Sequence, residues 1–367
     1  MDISYKIDSF IHKIIIQENP LKKIITDLQI TESDNQIMFV YDKNIDKKII
    51  NNYFQSFKIN GIKFFPLPVN GGKINKNEKF LFEILSKLSD LKFTKKSVLI
   101  SCGGGVIGDV SALAACLYMR GLIYFHIPTT MMAIIDSCLG GKTGINFKKR
   151  INLIGTYYHP RRIYISNEII QKIPEREYLS GFSEAIKCGI IGDKSILKIL
   201  EIKKEDLLER NFSVFKKLCA KVLKTKIKFF INDIREKNSR LILNFGHTFA
   251  HSLEEALASE KNKFNLNHGE AVGIGILCEM HYAGISHRYI NKISKLLNIF
   301  SLPNKLNLPR NVNKINFQKK VFNHLFLDKK KVSNFSRYIH IKKNSQPLIK
   351  ELKDFQLIDE IMFNFIV

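Results

Sequence analysis

The chain has 367 residues, 45% hydrophobic and 25% charged, which suits roughly two globular domains at about 150 residues each and excludes disorder, collagen-like fibres and small disulfide scaffolds. Lysine and arginine number 58 against 34 acids, a formal charge of +24. The basic residues are spread among Ile, Asn and Phe along the whole chain, so they read as a solvated surface with no nucleic acid as partner.

In chain order, the start MDISYKIDSF lacks the basic-then-apolar build of a signal peptide. No apolar run reaches the roughly 18 residues of a membrane helix, so no membrane partner is expected. QIMFVYD, IKFFPLPV, SVLISC, LIYFHIP and RIYIS read as buried strands. NEKFLFEILSKLSDL and DVSALAACLYMR, between them, read as helices. This alternation predicts an α/β, Rossmann-like domain with a mainly parallel sheet over residues 1–175. Beyond it, EREYLSGFSEAIKCGII, FSVFKKLCAKVLKTKIKFFIND, GHTFAHSLEEALAS and GEAVGIGILCEMHYAGISHRY read as helices, giving an all-α domain over 176–367. RYIHIKK reads as a short late strand. The six cysteines are scattered with no CxxC pair, so a reduced, cytoplasmic location is expected.

Two glycine segments carry chemistry. SVLISC runs into Gly103, Gly104, Gly105, Val106, Ile107, Gly108 and Asp109, a GxGxxG between strand and helix that suits a pyrophosphate. The turn comes late in its domain, and the next strand ends in Pro128-Thr129-Thr130 with no acid to hold a ribose. An ordinary Rossmann dehydrogenase is therefore not expected. The second segment, Asp136 to Gly144, ends in GGKTG, but Asp136 stands where a P-loop needs its first glycine. Lys142 on this turn suits an anion, and equally a plain surface position.

His247 and His251 are four apart and share a helix face, as do Glu184 and Lys187, three apart. His268 opens another predicted helix. Imidazoles with one carboxylate form the ligand set of a catalytic zinc that keeps a position open. There is no HExxH, which argues against a zincin protease.

GGGVIGD, RGLIYFHIPTT, IDSCLGGKTGIN, NLIGTYY, GFSEAIKCGI, LNFGHTFAH and HGEAVGIGI, in this order, resemble the 3-dehydroquinate synthases over roughly residues 40 to 335. The resemblance implies a cytoplasmic homodimer with NAD and one divalent metal, zinc or cobalt, per subunit. Its substrate would be a small phosphorylated sugar acid, 3-deoxy-D-arabino-heptulosonate 7-phosphate, converted to 3-dehydroquinate and phosphate. The implied steps are transient oxidation by NAD, phosphate elimination, reduction, and ring opening with aldol closure, the substrate phosphate serving as base. By the same resemblance Glu184, His247 and His268 are metal ligands and His251 contacts substrate. Asp136, Lys142, Asn152, Lys187, Lys226, Arg240 and Asn244 match substrate positions. One lysine of Asp328-Lys329-Lys330 joins them, and Arg120 would reach the neighbouring subunit's site. Gly104, Gly105, Val106, Gly108, Asp109, Thr129, Thr130, Lys142 and Lys76 fall to the cofactor.

Two positions depart from the family pattern. Ile151 stands where the family has a lysine, and Lys73 where it usually has an acid that meets the adenosine ribose; weaker NAD binding is expected. Rival readings are another sugar-phosphate cyclase and a metal- and NAD-dependent polyol dehydrogenase of related fold. The set Arg120, Lys142, Asn152, Lys226, Arg240 and Asn244 favours the dehydroquinate reaction.

Overall fold

The computed structural model describes residues 1–30, 36–148, 150–260, 266–327, 336–341 and 347–367. The chain forms two compact units. The first comprises Met1–Tyr178 with Phe215–Ile227, and the second Leu179–Val214 with Lys228–Val367.

In chain order the first unit holds strands β1 (Asp2–Ile7), β2 (Phe10–Gln17), β3 (Gln36–Asp42), β4 (Lys63–Val69), β5 (Val98–Gly103), β6 (Ile123–Pro128), β7 (Lys142–Phe147), β8 (Arg150–Tyr157) and β9 (Arg162–Ser166). Seven of them form one sheet in the order β1-β2-β9-β6-β5-β3-β4. Every pairing in it is parallel except the β1/β2 hairpin. The five strands expected from the sequence are all present. The near-continuous apolar runs of β3, β5, β6 and β9 follow from burial on both faces, whereas β4, expected to be buried, is the edge strand of the sheet and buries only Leu67 and Val69.

On β3, Met38 and Val40 join one core with Phe80, Leu81, Ile84 and Leu88 of helix Glu78–Asp90 and Val110 and Leu113 of helix Gly105–Leu117. Ile37 and Phe39 face the other way, into a core with helices Leu21–Ile30 and Lys47–Ile59. The alternation is the period-2 consequence of a strand between two helical layers.

Two hairpins add to the expected elements. β1 alternates exposed and buried residues, with Ile3, Tyr5 and Ile7 inside. β7 pairs with β8 antiparallel, with Gly144 opposite Gly155. A Cβ on Gly155 would fall on the Thr143 carbonyl oxygen, so these glycines serve strand-to-strand approach rather than a phosphate loop.

The second unit is mainly helical, with one small sheet of β10 (Arg337–His340) and β11 (Leu348–Glu351). The predicted helix 175–191 breaks at Gly181 into Glu175–Ser180 and Phe182–Ile191. Near Gly284, whose φ is +68°, the predicted helix 269–289 divides between His268–Tyr282 and His287–Ile299. Helices His247–Ala258 and His268–Tyr282 pack at backbone distance. A Cβ on Gly275 would fall on the Gly246 carbonyl oxygen, and one on Gly269 on that of Ser180. No described helix is long and apolar enough to cross a membrane.

Candidate active site

In the first unit, the glycine turn joins β5 to helix Gly105–Leu117, whose N-cap Gly104 has no side chain to cap it. The first amides of this helix and its dipole are therefore presented to an anion. The turn is narrow: a Cβ on Gly104 would lie 3.0 Å from Thr130 Cγ2, and one on Gly105 3.0 Å from Ser137 Oγ. Thr129 N donates to Gly103 O at 3.1 Å, holding the end of β6 against the turn. Gly108 packs on the His126 ring, 3.0 Å from where its Cβ would stand. His126 Nδ1 and Ser101 Oγ share a hydrogen bond of 2.7 Å, and burial pushes the imidazole down to about 4. A neutral ring under the turn leaves its positive potential to the helix.

Val106 follows in the first helical turn and Asp109 opens the second. Lys76 Nζ donates to Asp109 Oδ2 at 2.5 Å. Burial pushes the Asp109 carboxyl up, against the pull of Lys76. Gly105, Asp109, Ser137 and Lys142 line one recess. These observations fit a dinucleotide: a narrow cradle where an added Cβ would be crowded, helix amides for a pyrophosphate, and two lysines beside it.

The strand order reveals a residue that sequence reasoning misses. In the sequence, the strand that follows the glycine turn is β6, and it carries no ribose acid. The neighbour of β5 on its other side is β3, and β3 ends in Asp42. Its Oδ1 accepts from Asn44 N at 3.0 Å, and a Cβ on Gly71 would fall on its Oδ2. A carboxylate at the carboxyl end of the strand beside the glycine turn is the usual ribose acceptor. Lys73 sits exposed on the short turn Lys73–Asn75.

Asp136 and Lys226 form an ion pair. Asn152 is exposed with a φ of +53°, its amide donating to Asn146 Oδ1 at 3.0 Å. All of β8 is exposed, including Ile151, Leu153, Ile154 and Tyr157. Arg120, also exposed, ends a turn in which Met119 and Arg120 have positive φ.

In the second unit, Glu184, His247 and His268 each offer a ligand atom, all within 4.8 Å of one another. Helices Phe182–Ile191, His247–Ala258 and His268–Tyr282 supply one each. His247 Nδ1 lies 3.2 Å from the Phe245 carbonyl and its Nε2 3.6 Å from Glu184 Oε1. Glu184 is fully buried and paired with the buried Lys187, Nζ to Oε2 being 2.7 Å. His251 lies one turn after His247, ring centroids 5.3 Å apart. Two imidazoles and one carboxylate this close suit a divalent ion, zinc or cobalt, with an open position. The turn before His247 is fixed by the buried Glu279, which accepts from Gly246 N at 2.5 Å and from Ile339 N.

Arg240 is buried, donating from Nη1 to Ile234 O at 2.6 Å, and Asn244 Nδ2 donates to Glu236 Oε1 at 2.9 Å. Asp233 braces this loop. Burial opposes its ionisation, but bonds from the amides of Lys237, Arg240 and Asn238 outweigh it and hold the carboxyl below its usual range. Lys329 and Lys330 lie outside the described residues.

The family model described as the 3-dehydroquinate synthase N-terminal domain matches residues 66–180, and that of the C-terminal domain residues 181–331. A 3-dehydroquinate synthase of Pelagibacter ubique is 34% identical, over 92% of this chain and 91% of the relative. Among solved structures, a 2-deoxy-scyllo-inosose synthase complexed with carbaglucose-6-phosphate, NAD+ and Co2+ is similar over all of both chains, with a TM-score of 0.83 and 22% identity. A 2-epi-5-epi-valiolone synthase of Streptomyces hygroscopicus with NAD+ and Zn2+ bound covers 98% of both chains, with a TM-score of 0.83 and 19% identity.

Proposed function

The chain belongs to the 3-dehydroquinate synthase family, and from that premise we propose how its residues convert 3-deoxy-D-arabino-heptulosonate 7-phosphate into 3-dehydroquinate and phosphate. The observation that carries the reading is the Glu184, His247 and His268 donor set in a chain that also builds a glycine cradle for a dinucleotide. When bound, the dinucleotide supplies a reversible hydride acceptor, and the divalent ion polarises substrate hydroxyls.

The remaining roles belong to the protein. Lys187 neutralises Glu184 and fixes its carboxylate. His251, exposed on the same helix face as His247, exchanges a proton with a substrate hydroxyl. Lys142, Asn152, Lys226, Arg240, Asn244 and one of Lys329 and Lys330 hold phosphate and carboxylate in geometry, with Asp136 orienting Lys226. Gly104, Gly105, Val106, Gly108, Thr129 and Thr130 shape the dinucleotide cradle, while Lys76 and Asp109 set its charge. The working form is a cytoplasmic homodimer, with Arg120 offered to the partner. The exposed apolar side chains of β8 support self-association, since an exposed apolar patch commonly marks an interaction surface.

The test is phosphate release from the heptulosonate phosphate by protein fractionated by sedimentation, with and without chelator. Chelator-sensitive release without net NADH, in the dimer fraction, is expected. Net NADH accumulation would mean a polyol dehydrogenase, and activity confined to monomer would remove the homodimer.

Asp42 is the ribose acceptor in this reading, so the change at Lys73 costs less than the sequence alone implies. Asp42→Asn should weaken NAD binding by about 1.5–3 kcal/mol, roughly 10- to 150-fold, through one charge-assisted bond. Titration calorimetry giving an affinity within twofold of wild type would exclude the role.

A further inference from the structure

His251, Glu254 and His268 form a second group whose ligand atoms lie within 4.8 Å of one another. His268 belongs to both groups. We propose that Glu254 is not a ligand of a second ion but the positioning residue of the first: it fixes the His268 imidazole so that Nε2 faces the metal.

The bond itself is explicit. His268 Nδ1 lies 3.1 Å from Glu254 Oε2. An ionised carboxylate only accepts, so the proton of the neutral imidazole resides on Nδ1 and the Nε2 lone pair is left for coordination. His247 is arranged alike, with Nδ1 on the Phe245 carbonyl and Nε2 toward Glu184. The two histidines thus present the same nitrogen, one held by a backbone oxygen and the other by Glu254.

His268 needs such a partner because of where it stands. It is the first residue of helix His268–Tyr282. The nearby polar groups of that helix are already committed: Asn267 and Glu270 form a capping box, each bonded to the other's amide at 2.9 Å. The acceptor comes instead from helix His247–Ala258, where 247, 251 and 254 fall at i, i+4 and i+7 on one stripe. That helix therefore supplies one ligand and orients another.

The inference rests on the ligand reading above, and the experiment separates the two. Cobalt(II) affinity is measured by chelator competition for wild type, Glu254→Gln, Glu254→Ala and His268→Ala, with folding checked by circular dichroism. Glu254→Ala should bind cobalt roughly 10- to 100-fold more weakly, and Glu254→Gln, which keeps an acceptor without charge, should fall between. Turnover of both should return at saturating metal, an outcome that a general packing defect would not give. Cobalt affinity of Glu254→Gln and Glu254→Ala within twofold of wild type, while His268→Ala loses the ion, would overturn the inference alone. Undiminished cobalt in His268→Ala would overturn the ligand reading beneath it. Two ions per chain, falling to one in Glu254→Gln, would make Glu254 a ligand and also overturn the proposal.

Discussion

His268→Ala is expected to abolish metal retention and lower turnover by roughly three orders of magnitude or more. The size follows from the several kcal/mol that a Lewis acid supplies to developing charge. His268 Nδ1 bonds Glu254 beside Glu184 and His247, so removing the ring would take one donor from the group and that bond from Glu254. Chelator treatment of the wild-type protein should give the same loss, restored by cobalt or zinc, whereas the variant should not recover. Elemental analysis finding one ion per chain in the variant would remove His268 from the ligand set.

Replacing Lys187 by methionine should have the largest effect on stability. The ammonium is 1% exposed and the Glu184 carboxylate 0%, so removing one partner strands a charge in the interior. Such a break costs about 3–5 kcal/mol. The penalty should be large with chelator and markedly smaller with cobalt, because a bound cation takes over the neutralising role. Urea unfolding under both conditions measures this. Equal penalties would mean that no ion sits beside Glu184.

The strands with uninterrupted apolar runs are legible in the amino-acid sequence alone: β3, β5, β6 and β9, and the edge strand β4 with them, all lie where those runs predict strands, but that β4 is largely uncovered depends on its place at the end of the sheet. The His247 and His251 pair is legible for a similar local reason, since i and i+4 positions on a helix share a face, whereas Glu184 and His268 join it from two other helices. What the sequence hides depends on partners distant along the chain. The alternation of Ile3, Tyr5 and Ile7 is a period-2 signal only six residues long, too short to stand out without its partner β2. Gly144 and Gly155 look like turn residues because their requirement, each other's backbone across β7 and β8, is invisible one segment at a time. Asp42 is hidden by strand order. It precedes the glycine turn in the chain by some sixty residues, and only the sheet makes it a neighbour.

The division of the chain has a consequence for synthesis. Residues 215–227 belong to the first unit although 179–214 belong to the second, and this returning stretch carries Lys226, the ion-pair partner of Asp136. A ribosome that has released the whole nucleotide-type sheet has therefore not yet released everything that unit contains. A fragment cut near residue 180, where the N-terminal family match ends, would carry Asp136 without Lys226 and Tyr178 without Phe215, whose rings lie 6.2 Å apart in the intact chain. The boundary that divides the sequence most naturally is thus a poor place to divide the gene.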